Sequence, residues 1–297
     1  MTNASPGRAQ NLGLFLIIMA AAVDSLSGLF TRLVVADTWT MIFWRGIFAA
    51  LFVFGFTFVR YRRRALSVFL GVGWTGAVLV LLNAAGMVAG LQSQRMTAVA
   101  NFFMIFATAP FAAALLARLV VGERLDMPTL LAGFVGFSGV FVMMAGSAES
   151  GNLAGDLLAC CVVVFYSLLV LVIRRRNVRE VEPVIVMTVL ASSLLALPFA
   201  RPLDVTAPDV PLLVVFGFIQ LGLGNILIFS AARMIPAAQS GLLGVLNSAL
   251  APFWVWLALG EMPPFATVIG GSIVMVATVG HLVWQLTRPT SAAHAPA

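Results

Sequence analysis

Residues 109–123 read "APFAAALLARLVVGE" and residues 251–261 read "APFWVWLALGE". Both stretches begin with Ala-Pro-Phe and end with Gly-Glu. The triplets stand 142 residues apart and the Gly-Glu pairs 138, so the second copy has lost four residues, about one helical turn. The 142-residue offset persists outside these stretches. Ser25-Leu26 falls on Ser167-Leu168, Arg32 on Arg174, Asn83 on Asn225 and Ala89 on Ala231. The chain therefore divides into two related halves, 11–147 and 152–288. The polar ends, 1–10 and 289–297, are expected to be disordered tails.

The composition places both halves in a membrane. Of 297 residues, 61% are hydrophobic and 9% are charged, against about 25% charged in soluble domains. Mean hydropathy is +1.06. A span needs about 20 apolar residues to cross about 30 Å of hydrocarbon. Ten such segments are expected, near 12–32, 38–59, 67–91, 96–117, 127–146, 153–173, 183–200, 210–232, 238–258 and 264–286. The predicted fold is an all-α membrane protein with no soluble domain. Residues 8–22 resemble a signal peptide, with Arg8, an apolar stretch and Ala20-Ala21-Ala22. The repeat argues instead for a retained first span.

A net charge of +6 and a pI near 10.9 would suit a nucleic-acid partner, but the placement of the charge excludes one. All 17 basic residues are Arg. Thirteen fall on one side: Arg8, Arg60, Arg62, Arg63, Arg64, Arg118, Arg124, Arg174, Arg175, Arg176, Arg179, Arg233 and Arg288. Three, Arg32, Arg95 and Arg201, fall on the other, and Arg45 lies inside a span. By the positive-inside rule both termini are cytoplasmic. Each half holds five spans, an odd number, so the halves enter the membrane from opposite sides. The expected architecture is a 5+5 inverted-topology repeat, typical of secondary transporters with a site near the midplane.

The sequence offers little to an enzyme. It has no GxxxxGK[ST] loop and no HExxH. Cys160 and Cys161 are adjacent, without metal-ligand spacing, and read as small buried hydrophobes. No cofactor or metal is expected. The expected partners are a small-molecule substrate and the lipid bilayer, with a second copy of the chain left open.

The ten spans, the "APF…GERL" stretch after span 4 and "LAPFWVWLALGE" after span 9 carry a resemblance over nearly the whole chain. They resemble the drug/metabolite transporter superfamily in its EamA-type branch. The second motif, with Trp254 and Trp256, is similar to that of the YddG-type amino-acid exporters, known for aromatic amino acids. The resemblance implies a multi-pass exporter of the bacterial inner membrane, working by alternating access. It also implies a central cavity lined mainly by spans 1, 3, 4, 6, 8 and 9.

Polar residues inside spans are the candidates for the site. Thr97, Asn101, Ile105 and Thr108 share one face of span 4. The repeat maps them onto Gln239, Leu243, Asn247 and Leu250 of span 9, so Gln239 and Asn247 lie on the matching face. Two readings are open: cavity walls, or interhelical hydrogen bonds worth about 0.6 kcal/mol each. Asn83 and Asn225 either line the cavity or hold helix crossings. Gln220 is a weaker candidate, and Tyr166 would orient a substrate. Pro110 and Pro252 each remove a backbone hydrogen bond inside a span, giving either a hinge or a static kink. Gly133, Gly136 and Gly139 read as close helix packing.

Asp24 interrupts the apolar run of span 1, about 12 Å from its outer end; Arg45 lies about 10 Å into span 2 from the same side. An isolated ionised Asp near the membrane centre costs about 2.5–3.5 kcal/mol on insertion scales. In the second half the matching positions are Tyr166 and Met187, so both charges are absent together. An Asp24–Arg45 interaction facing the interior is therefore expected. It is either a fixed ion pair or a functional couple that binds the substrate ammonium or carries a coupling proton. Arg45 turned out toward the surface is the alternative. Asp24 reads as the one deep acid. Glu123 and Glu261, beside Gly, read as helix-terminus or hairpin structure, and His281 as an interfacial polar residue. The favoured function is export of amino acids, aromatic ones among them, with export of hydrophobic or cationic drugs and metabolites as the alternative.

Overall fold

The computed structural model describes residues 6–61, 73–123, 125–176, 182–232, 234–235, 239 and 241–287. All regular structure among these residues is helical. The helices are α1 (Pro6–Asp24), α2 (Ser27–Leu33), α3 (Thr38–Tyr61), α4 (Gly73–Met96), α5 (Val99–Phe106), α6 (Ala109–Val121), α7 (Met127–Ser150), α8 (Leu153–Arg176), α9 (Glu182–Ala196), α10 (Asp209–Val215), α11 (Gly224–Ala232), α12 (Leu242–Leu259) and α13 (Phe265–Thr287). A π-helical segment, Phe216–Leu223, joins α10 to α11.

Among the described residues, eight stretches are long and apolar enough to span a membrane, α1 with α2 counting as one and α10 through α11 as another. The pair α5 and α6, bent by 40°, makes a ninth, and the apolar part of α9, Val184–Ala196, is shorter than a span. Phe134, Phe141 and Val276 are exposed on the outer faces of α7 and α13, as lipid contact requires. The chain is a multi-pass membrane protein.

Several boundaries differ from expectation. Helix begins at Pro6, inside the stretch expected to be a disordered tail, with proline in the first turn where its missing N–H costs nothing. Residues 1–5 and 289–297 lie outside the described residues, as do Arg62, Arg63, Arg64, Arg124, Arg179, Arg233 and Arg288. The third span runs to Met96 rather than 91. Pro110 is not inside a helix: it stands in the first turn of α6, after a break at Ala107–Thr108. It therefore removes no helical hydrogen bond there. Pro252 does lie within α12.

The repeated Gly-Glu has a local cause. Gly122 and Gly260 cap α6 and α12 with φ of 75° and 68°, a left-handed conformation that glycine adopts without strain. Their N–H groups donate to Arg118 O and Trp256 O at 3.0 and 2.8 Å.

The helices meet through small residues. A methyl group at Gly139 would stand 2.5 Å from the Gly270 carbonyl oxygen, so α7 and α13 touch backbone to backbone. Gly133 and Gly136 face the ring of Phe111, the close packing expected of them. One core gathers Phe102, Phe103, Met143, Val163, Val255 and Val274 from α5, α7, α8, α12 and α13. A second gathers Met41, Ile42, Leu91, Leu213 and Phe216 beside the π-helical segment.

Candidate functional site

A cavity of about 220 Å³ lies between the helices, below the ~300–1,000 Å³ of ligand pockets in general. It runs from Ser27 and Gln94 toward Leu169 and Ile228 near the ends of α8 and α11. Two irregular segments face it. The first is the break at Ser25–Leu26 between α1 and α2, which leaves Asp24 at the end of α1. The stretch "VDSLSGLF" carries Asp, Ser and Gly, residues that favour turns over continuous helix. The second is the π-helical segment, a form that often marks functional sites.

Asp24 lines the cavity and is held by two amides. Gln220 Nε2 donates to Asp24 Oδ1 at 2.9 Å and approaches its backbone carbonyl at 3.4 Å. Asn247 Nδ2 donates to Oδ2 at 2.7 Å. Both amides are 3% exposed, and Gln220 Oε1 and Asn247 Oδ1 are buried without a hydrogen-bond partner. Next to Asp24, Ser25 Oγ accepts from Trp254 Nε1 at 3.0 Å.

Arg45, 6% exposed, lines the same cavity. Its guanidinium carbon stands 4.7 Å from the centre of the Phe216 ring, a cation–π contact worth about 2 kcal/mol or more when desolvated. Among the described residues it has no carboxylate within salt-bridge distance and no hydrogen bond. Arg45 therefore faces inward, and Asp24 and Arg45 share the cavity, their charges interacting across it without a direct salt bridge. Phe216 was not anticipated; no sequence rule singles out a ring one helix away.

The opposite wall is aromatic. Phe102 and Phe106 stack at 6.1 Å, and Tyr166 meets Phe106 edge-on at 5.3 Å. Asn83 and Asn225 both line the cavity, and Asn225 Nδ2 donates to Leu221 O at 2.6 Å. The lining comes from spans 1, 2, 3, 4, 6 and 8. Span 9 takes part through the Asn247–Asp24 bond, and span 2, not expected in the lining, supplies Arg45.

Thr97 and Asn101 are not on the cavity. They turn to Asp156, a fully buried acid near the start of α8. Thr97 Oγ1 donates to Asp156 Oδ1 at 2.6 Å, and Asn101 Nδ2 approaches both carboxylate oxygens at 3.1 Å and Ser147 Oγ at 2.8 Å. Thr267 Oγ1 donates to Asn101 Oδ1. Two further acids, Asp156 and Asp209, are buried, each in the first turn of its helix rather than deep in a span. Their position at span starts was the available signal. Gln239 is not among the cavity-lining residues, and its Oε1 is buried without a partner.

Beyond Ser27 and Gln94, the end that holds Arg32, Arg95 and Arg201 is tied by polar contacts. Arg32 pairs with Glu261, Nε to Oε2 at 2.8 Å and Nη2 to Oε1 at 3.0 Å. It also donates to Gln94 O and Thr97 O at 2.8 and 2.9 Å. Glu261, read as hairpin structure, is an ion-pair partner. Arg95 donates to Val34 O and Ala36 O at 2.6 and 3.0 Å. Asp209 accepts from the N–H groups of Val35 and Ala36 at 2.9 and 3.1 Å.

This arrangement can take a small solute bearing charge into an apolar bundle that is closed at one end. Comparison with known proteins agrees. No curated protein matches the chain. Among solved structures that match, one crystal structure of a protein superimposes with a TM-score of 0.65 and 18% identity, covering 96% of this chain and 99% of the other. That likeness shows the fold. The model of the EamA-like transporter family matches residues 11–145 and 153–283. With nearly all of it accounted for in this way, the chain belongs to the EamA-like transporter family and is a secondary small-molecule membrane transporter, not an enzyme.

Proposed function

We propose that the protein exports amino acids, aromatic ones among them, across the bacterial inner membrane. The observation that supports this reading is that Asp24 and Arg45 face one cavity, close enough for their charges to interact but without a direct salt bridge between them. A zwitterion offers an ammonium group to the first and a carboxylate to the second. A purely cationic solute would leave the guanidinium unmatched in a site of low dielectric, which is costly. The Phe102–Phe106–Tyr166 wall suits a bulky apolar side chain.

The transport cycle in this reading is alternating access by a 5+5 inverted repeat. The bent pair α5–α6 and the short α9 each count as one crossing, giving ten, with both termini in the cytoplasm. Two reciprocal bonds support the pairing of halves. Asn101 donates to Asp156 of the second matched segment, and Asn247 donates to Asp24 of the first. The end tied by Arg32 and Glu261 then faces away from the cytoplasm.

The test is counterflow in proteoliposomes. Labelled phenylalanine exchanges in the wild type. Arg45→Gln, which removes a charge-assisted contact worth about 1.5–3 kcal/mol, raises KM at least about tenfold. Exchange of phenethylamine, which lacks the carboxylate, is unchanged by that substitution. Flux of organic cations without flux of any amino acid would overturn the proposal in favour of drug and metabolite export.

A further inference from the structure

The amides around Asp24 present a chemical surplus that the contacts described so far leave unused. Gln220 and Asn247 give their N–H groups to the carboxylate, while their carbonyl oxygens are buried without a partner among the described residues. Native structures rarely leave such atoms unmatched. Without a cation, turning the amides over would set their oxygens against the carboxylate, acceptor against acceptor. The surroundings are already rich in oxygen. Asp24 ends α1, and a helix C-terminus carries a partial negative charge that favours cations and disfavours a carboxylate. The Asp24 backbone carbonyl also lies in this corner, 3.4 Å from Gln220 Nε2. The cation on the lining, Arg45, is stacked on Phe216 and bonded to none of these oxygens.

We propose that Asp24, Gln220 and Asn247 form one site for a small dehydrated monovalent cation, either an alkali ion of sodium size or a primary ammonium group. On binding, the two amides turn about their terminal torsions and present Oε1 and Oδ1 beside the carboxylate. A primary ammonium has three N–H donors, and these three side chains offer four acceptor oxygens, two of them from Asp24. An alkali ion uses the same oxygens together with the Asp24 carbonyl. Broken helices that supply carbonyl oxygens beside a substrate site are a recurrent way to hold coupling ions in transporters. A quaternary ammonium has no N–H and a radius too large to approach these oxygens together. Where the occupant is an ammonium group, the proposal deepens the amino-acid reading and rests on it. Methylammonium has no carboxylate, so its binding and amino-acid flux are separate results.

The experiment measures tryptophan emission, with Trp254→Phe as the blank for the other five tryptophans, and thermal melting of the purified protein in detergent, titrated with sodium, methylammonium or tetramethylammonium chloride at constant ionic strength. Trp254 reports through its bond to Ser25, the neighbour of Asp24. The expected result is a saturable response to sodium, to methylammonium or to both in competition, and none to tetramethylammonium. Sodium alone identifies a coupling ion. Methylammonium alone identifies the head group of the solute. Competition identifies one site exchanged between the two. Gln220→Leu and Asn247→Leu each raise the half-saturating concentration at least tenfold, and Asp24→Asn abolishes the response. No response in the wild type, an equal response to tetramethylammonium, or unchanged half-saturation in both amide variants overturns the proposal. The wild-type arms decide the matter even where Asp24→Asn does not fold.

Discussion

Glu261→Gln removes one partner from the contact that ties the closed end of the cavity. In the structure Arg32 makes two bonds to Glu261 and two to the carbonyls of Gln94 and Thr97, so the substitution costs half of them in charge-assisted form. The two side chains are 21% and 32% exposed. The pair lies between a surface pair, worth about 0.2–1 kcal/mol, and a buried one, whose disruption costs about 3–5 kcal/mol. Roughly 1–2 kcal/mol is the reasonable loss, equivalent to about a 5- to 30-fold rise in the population of the opened end. Ser27, buried beside Gln94 and donating to its Oε1 at 3.3 Å, reports that opening. With Cys160→Ala and Cys161→Ala as background, Ser27→Cys in sealed vesicles is exposed to a membrane-impermeant thiol reagent added on the side of the Arg32–Glu261 pair. When reclosing is faster than modification, the labelling rate tracks the open fraction. It should rise about 5- to 30-fold in Glu261→Gln. A rate unchanged within twofold, in a variant that melts like its parent, would refute the view that this pair holds the end shut.

Four further substitutions can be checked. Gly139→Ala places a methyl group 2.5 Å from the Gly270 carbonyl oxygen and should destabilise the protein by about 1–3 kcal/mol, seen as a lower melting temperature. Asp156→Ala leaves Thr97 and Asn101 without their acceptor and should cost about 3 kcal/mol or more. The folded fraction should keep its KM, because Asp156 is not on the cavity; a changed KM with unchanged melting would contradict that placement. Pro252→Ala restores a backbone donor inside α12 and should raise the melting temperature and lower the transport rate. Pro110→Ala, at the first turn of α6, should leave stability within about 0.5 kcal/mol.

The repeat and the hydropathy made the family and most helix positions legible. Asn83 and Asn225 were found as a pair because the offset aligned them. The same offset misled at Asn101 and Asn247. The two residues are equivalent by alignment, and each reaches an aspartate across the molecule, but only Asn247 reaches the one on the cavity. Their partners, Asp156 and Asp24, are not repeat-equivalent, so alignment could not separate the roles. The break after Asp24 had a signal in its Asp-Ser-Leu-Ser-Gly run. The π-helical turn had none, because widening by one residue depends on the helix it packs against: Gly217 lies against Phe48 and the Arg45 carbonyl. That widened segment carries both Phe216 and Gln220. The inward-facing cation and the carboxylate's amide partner therefore depend on a feature that periodicity does not encode.

The ties at the closed end are addressed largely to main-chain atoms. Arg32 and Arg95 grip carbonyls of residues 34, 36, 94 and 97, Asp209 grips two amide protons, and Trp44 Nε1 reaches Pro202 O at 3.0 Å. A grip on the main chain is indifferent to which side chain hangs from it. In a saturation library, Val35, whose side chain is exposed and whose N–H is held by Asp209, should therefore accept many replacements at little cost to fitness, proline excepted, because an N–H is needed there. Intolerance should concentrate on the few side chains that do the gripping. Loops of this kind can diverge quickly while the seal they form stays the same.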